Sequence, residues 1–389
     1  MSSIVMHNSV HSYTSNWHQN AARAAFFIGG FGAAAWAPLV PLLKNRLMIN
    51  ENIMGLLLLC IGMGSLITMP ISGIIAAKFG CRKVIVTASL LYAFLLILLS
   101  EVTTLPATVV ILILFGAAMG MIDVTANIQA LSIERAIGHR LMSSMHGFWS
   151  VGGFLGASIF GLWIDIGLSP FQATLCAAII MIITLIPFIR YLLNNGGDSS
   201  SRAHFAFPRG IVALIAVIIC ISFLVEGSIM DWGGIYLTTI HGLDISLAGT
   251  GFALYSGAML IMRLTGDWLL RKLSTTLIIF GGMLLTIVGF LLIIASSWQI
   301  LLYLGFFLIG GGFANVVPVF YSLLAKQKAM PLTTAISAVS TFGYLGILMG
   351  PAVIGFIAHL TSLISAFTML VVLLIIEIFI ANYVYKKMA

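Results

Sequence analysis

The chain has 389 residues and a formal net charge of +7. Hydrophobic residues make up 61% of it, charged residues only 7%, and mean hydropathy is +1.14. Soluble domains carry roughly 25% charged residues, so a water-soluble fold is excluded and the bilayer is the natural solvent. The basic residues sit in short polar gaps between apolar runs, with no stripe that would track a phosphate backbone, which excludes a nucleic-acid partner.

The N-terminus places His7, His11 and His18 among Ser and Asn. No short apolar core leads there to a small-residue cleavage site, so a retained polar tail is expected, neither a signal peptide nor a metal site. A membrane-crossing helix needs roughly 20 mostly apolar residues. Such runs fall near 22–43, 53–77, 83–100, 106–130, 143–165 and 171–192, then near 210–237, 247–269, 275–296, 299–325, 334–358 and 362–385. The expectation is an all-α integral membrane fold of twelve transmembrane helices. It comprises a bundle of six over 1–192, a cytoplasmic linker over 193–209 and a second bundle over 210–389. The linker region NNGGDSSSRAHFAFPR is rich in Asn, Gly and Ser, which resist helix and tolerate water.

Fifteen Lys and Arg residues fall on the side shared by both termini, whereas Lys44 and Arg46 alone fall on the other. The positive-inside rule makes both termini cytoplasmic. Cys60, Cys81, Cys176 and Cys220 form no CxxC pair or metal-ligand spacing and read as inert thiols. Neither a cofactor nor a metal is expected.

The halves resemble each other at one offset. Gly152, Gly156 and Gly161 in the fifth run recur as Gly346, Gly350 and Gly355 in the eleventh, 194 residues later. The same offset carries Lys78 onto Lys272 and Trp36 onto Met230. Small residues recur wherever membrane helices pack closely, but agreement at a second site argues for duplication.

Two six-helix halves joined by a cytoplasmic linker resemble the major facilitator superfamily, whose members are built from such repeats. Its gating-loop pattern matches at Gly73, Lys78, Gly80, Arg82 and Lys83, although Ala77 stands where an acid is expected and Arg271 takes that place in the second half. The segments DVTAN from Asp123, MHGFWSVGG from Met145, EGSIMDW from Glu226, RLTGDW from Arg263 and GYLGILMGP from Gly343 together resemble a bacterial subgroup of rhizopine-associated, MosC-like permeases. The resemblance implies a multi-pass inner-membrane transporter, expected to act as a monomer among membrane lipids, and names no solute.

An ionised side chain at mid-bilayer costs roughly 2.5–3.5 kcal/mol on insertion scales, so each one needs a reason. Asp123 and Asn127, one turn apart on the fourth helix, are candidate substrate contacts, and Asp123 is also a candidate proton carrier. Glu226 and Asp231 on the seventh helix are candidate proton-coupling carboxyls. Alternating exposure to water and to a dry cavity lets such a group load and release a proton. Arg263 on the eighth helix suits an intramembrane ion pair with Glu226 or Asp231, or else snorkels to the interface. Histidine side chains can relay protons, and His146 is a candidate relay. Trp36, Trp149, Tyr255, Asn315 and Tyr344 are candidate substrate contacts, since aromatic walls suit a sugar-like or cyclic solute. Glu377 on the twelfth helix reads as structural.

No GxxxxGK[ST] loop is present, so a gradient must supply energy, and buried carboxyls favour protons. A proton-coupled secondary transporter of a small polar solute, working by alternating access, is the leading expectation. A drug or metabolite exporter exchanging protons is the alternative, hinted at by Gly350-Pro351; a non-transporting sensor follows. An enzyme is not expected, because HExxH and GxSxG are absent.

Overall fold

The computed structural model describes residues 15–49, 51–196, 206–243 and 247–388. His7, His11, Arg202 with most of the expected linker, and Asp244 lie outside the described residues. Within the described residues every regular element is helical. In chain order they are α1 (Asn16–Trp36), α2 (Leu39–Leu47), α3 (Glu51–Phe79), α4 (Cys81–Glu101), α5 (Leu105–Ile137), α6 (Met142–Asp165) and α7 (Pro170–Leu185). A 3₁₀ turn extends α7 to Tyr191. Then come α8 (Ile211–Thr239), α9 (Ala248–Lys272), α10 (Gly282–Ala295), α11 (Gln299–Phe313), α12 (Val316–Leu324), α13 (Leu332–Leu360) and α14 (Leu363–Met388).

Ten helical stretches are long and apolar enough to cross a membrane, with α11 and α12 counting together as one. The expected first and eighth spans are not among these ten. Each has a visible cause. The first is divided into α1 and α2 at Ala37–Pro38: proline has no N–H to offer the Ala34 carbonyl, which instead accepts from the Ala37 amide at 3.2 Å. The eighth, α9, carries Arg263, Asp267, Arg271 and Lys272.

The described residues form two compact units. The first comprises Met1–Leu141, Met145–Ala206 and Pro331–Ala338; the second comprises Met142–Ser144, Phe207–Met330 and Val339–Ala389. In the first, α3 packs along α5, and in the second, α9 packs along α11. The same device closes both pairs. A Cβ at Gly116 on α5 would overlap the Ile61 carbonyl oxygen, and one at Gly310 on α11 would overlap the Tyr255 carbonyl oxygen. Glycine and partner alike are displaced by 194 residues. Backbones therefore touch without intervening side chains, the approach that membrane helices use in place of a hydrophobic drive.

The glycines that revealed the offset behave alike. Gly152 and Gly156 on α6 abut the Phe27 and Phe31 carbonyls of α1, whereas Gly346 and Gly350 on α13 abut those of Cys220 and Leu224 on α8. In the first unit the α3–α5 seam is also hydrogen-bonded, with Ser65 Oγ donating to Gly116 O at 2.7 Å and Thr68 Oγ1 to Ala117 O at 3.0 Å.

Candidate functional site

The polar groups of the second unit gather where a helix is interrupted. A continuous tenth span would bond the Ala314 carbonyl to the amide of residue 318, but that residue is Pro318 and has no N–H. The helix therefore parts into α11 and α12 around Ala314–Asn315, and Asn315 has φ −101° and ψ −1°. Arg263 of α9 uses the freed acceptor: its Nε donates to Ala314 O at 3.4 Å. Its Nη2 lies 3.5 Å from Glu226 Oε2 on α8. The guanidinium is almost wholly buried, whereas the Glu226 side chain keeps a quarter of its surface exposed.

Asn315 closes the arrangement from the other side of the break, its Nδ2 donating to the Met262 carbonyl at 3.0 Å. Its Oδ1 is buried with no hydrogen-bond partner, as is the hydroxyl of Tyr255, two helical turns before Arg263. A Cβ at Gly266 would overlap that same Asn315 Oδ1, so glycine is what lets the amide lie flat on α9. The unit thus brings together Glu226, Arg263 and Asn315, with Tyr255 on the same helix as Arg263. Asp231, five residues after Glu226, is exposed and stands apart from the pair, and Tyr344 is half-buried on α13. Buried polar groups normally find a partner; here two remain open beside an ion pair.

The first unit is organised differently. Asp123 on α5 is half-buried, and Asn127 Nδ2 donates both to its backbone carbonyl at 2.9 Å and to its Oδ1 at 3.3 Å. The described residues place no cation within ion-pair distance of Asp123. Trp36 ends α1 with its ring 6.2 Å from Phe115, which stacks on Tyr92 at 4.3 Å. Trp149 is half-buried and lays its ring against Gly29 of α1. His146 is buried, 5.2 Å from the Phe26 ring.

The loop between α3 and α4 is clamped by the chain that follows the sixth span. Arg82 donates through Nε to Leu192 O at 3.1 Å and through Nη2 to Arg190 O, while its backbone amide bonds Leu193 O at 2.8 Å. Gly80, at φ +84°, sits against the Asn194 carbonyl, where a Cβ would both strain the backbone and collide. Gly73 abuts the Thr333 carbonyl, Lys78 lies 5.2 Å over the Phe79 ring and Lys83 is exposed. Ala77, in the expected acidic position, leaves Arg82 to backbone acceptors. The clamp escaped the sequence because carbonyl acceptors have no side-chain signature. The α11–α12 break did have one: three successive glycines, then Asn315 three residues before Pro318.

The sequence matches the Major Facilitator Superfamily over residues 24–331. It is 43% identical to an MFS-type transporter of Yersinia pestis, over 92% of this chain and 93% of that one. It is 29% identical to the membrane protein MosC of Rhizobium meliloti, over 87% and 83% of the two chains. Among solved structures it superposes on the human organic anion transporter with a TM-score of 0.75 at 15% identity, covering 94% of this chain and 98% of that one. The E. coli fucose:proton symporter gives 0.73 at 15% identity with the same coverage.

Proposed function

Since the chain belongs to the major facilitator superfamily, we propose that it is a secondary active transporter that carries a small polar solute by alternating access, with proton movement as the driving step. The observation that carries this reading is the Arg263–Glu226 pair at 3.5 Å, set against the carbonyl that Pro318 frees in the tenth span.

The pair supplies a mechanism. While Glu226 is a carboxylate, it holds Arg263 and no net charge is left in the cluster. A proton taken up by Glu226 from one side dissolves the pair and releases Arg263 Nη2 as a donor. The hydroxyl of Tyr255 and the Oδ1 of Asn315, both buried and unpartnered, add a donor and an acceptor for a hydroxylated or otherwise polar solute. After reorientation, loss of that proton to the other side re-forms the pair and expels the solute. In the first unit, Asp123 and Asn127 contribute solute contacts. Asp231, exposed and apart from the pair, serves the entrance and carries no coupling proton.

Membership of the family supports the class of activity, and the fold is shared with a fucose:proton symporter. The protein works in the bacterial inner membrane as a monomer, with both termini cytoplasmic, as its Lys and Arg distribution requires.

The test uses purified protein in liposomes loaded with a pH-sensitive dye and challenged with pooled sugars, polyols, amino acids and cationic drugs. A pH change evoked by one pool and absent from empty liposomes is expected, and its sign separates symport from exchange. Uphill solute accumulation under a membrane potential with no pH change in any pool would sink the proton-coupled reading.

A further inference from the structure

The proposed cycle makes no use of Glu377, the most deeply buried acid among the described residues. Glu377 lies on α14 and is wholly buried. Its Oε1 accepts a hydrogen bond from Ser222 Oγ on α8 at 2.8 Å, while its Oε2 is buried with no hydrogen-bond partner. The helices packed against α14 are chiefly α8 and α10. Helix α10 has no titratable side chain, and those of α8 are Cys220, Glu226, Asp231 and Tyr236. The only lysines of α14, Lys386 and Lys387, fall in its last turn, about 13 Å along the axis at a rise of 1.5 Å per residue. No cation among the described residues reaches Glu377.

A carboxylate so placed would keep one oxygen without a donor and its charge without a counter-ion, which is prohibitive in a dry interior. A neutral acid removes the charge penalty and leaves only an O–H to be accommodated. Its single hydrogen bond also comes from a residue one helical turn before Glu226 on the same helix, and residues four apart are surface neighbours. Ser222 thus sits between the two acids.

We propose that Glu377 and Ser222 form a second proton-binding site, on the α14–α8 seam outside the solute cluster, which loads and unloads during the transport cycle alongside Glu226. The assignment of Glu377 as a cycling site rests on the proton-coupled reading above; its capacity to hold an exchangeable proton does not.

The experiment therefore has two arms. In the first, purified full-length protein is titrated from acid to alkaline pH by difference infrared spectroscopy, with the proton as the probe. A protonated-carboxyl C=O band is expected that titrates, disappears in Glu377→Gln and persists in Glu226→Gln. In Ser222→Ala it should change frequency, because the hydrogen bond to the carbonyl oxygen is gone. A spectrum identical in wild type and Glu377→Gln, or a Glu377 band that never titrates, overturns the proposal. Glutamine keeps the side-chain size and an acceptor for Ser222, and thermal unfolding of the variant confirms that the fold is retained.

In the second arm, the protons moved per solute are measured in liposomes from the pH change and labelled solute uptake together. A lower ratio in Glu377→Gln with solute exchange intact is expected, and an unchanged ratio overturns the cycling role. If wild-type liposomes show no solute-evoked pH change at all, the proposed function fails and the cycling role with it. The infrared arm then still decides whether Glu377 binds a proton.

Discussion

The two units of this protein hold their helices together by the same contacts and differ in what they place between them. Gly116 on Ile61 and Gly310 on Tyr255 are one seam drawn twice, as are the glycine pairs of α6 on α1 and α13 on α8. At equivalent positions the chemistry diverges. Arg263 stands where the first unit has Met69, Glu226 where it has Gly32, and the α11 break falls where α5 runs unbroken. The first unit has Asp123 and Asn127, where the second has Val317 and Tyr321. Backbone seams have few substitutes, because only glycine permits the approach, whereas side chains facing a cavity are free to specialise. The glycine contacts thus repeat at one offset while each unit carries its own polar groups.

Substitutions can break that comparison, and the largest effect is expected at the ion pair. Arg263→Ala leaves Glu226 without its counter-ion and the Ala314 carbonyl without its donor. It should abolish uphill transport and cost about 3 kcal/mol of stability, the low end for a broken buried pair because Glu226 is partly solvated. Thermal unfolding in detergent, beside uptake assays, reads both, and a fully active, equally stable variant would remove the pair from the mechanism. Glu226→Gln is milder: proton-driven accumulation should vanish while solute exchange survives, and full accumulation in that variant would transfer coupling elsewhere.

Next come the seams. Gly116→Ala and Gly310→Ala each force a methyl group into a backbone oxygen and should each destabilise by about 1–3 kcal/mol. Equal losses sharpen the picture of one contact used twice; a loss at one position alone would break it. Smaller again is Asp123→Asn, which removes a charge that has no cationic partner among the described residues. Solute affinity should fall about tenfold, the equivalent of about 1.4 kcal/mol, with the unfolding temperature nearly unmoved. Unchanged affinity would take Asp123 out of the solute site. Least is expected of Arg82→Lys, which exchanges a fork of donors for a single ammonium. The loss should be about 1 kcal/mol, visible as faster proteolysis between α3 and α4.

The sequence disclosed the membrane class and the repeated halves because both are written in composition and in glycine spacing, properties that survive without knowledge of contacts. It also disclosed which polar residues needed explaining. What it could not decide was direction around each helix. Glu226 and Asp231 are both candidates on paper, with Glu226 favoured, and the fold sets Glu226 against Arg263 and leaves Asp231 exposed. Trp149 reads as a candidate ligand contact, and the sequence does not show that its ring also lies against Gly29. Glu377 reads as structural because the resemblance places its helix at the periphery, and nothing in its own segment announces Ser222, 155 residues away. Helices whose whole circumference is apolar carry little periodicity, so facing is settled by tertiary partners.

The Arg82 clamp bears on how the chain is made. Its acceptors are the carbonyls of Arg190 and Leu192, which leave the ribosome only after six of the expected spans have been synthesised. The loop after α3 cannot lock until then, and once those residues arrive it needs nothing from the second half to do so. Domains generally mature as units, the N-terminal one first, at about 5–20 residues per second. Translation therefore gives the first half several seconds in which its loop is open, followed by a latch that closes before the second half is complete. A nascent chain from which residues 190–193 have cleared the ribosome would already be latched, whereas one that still holds them inside would not.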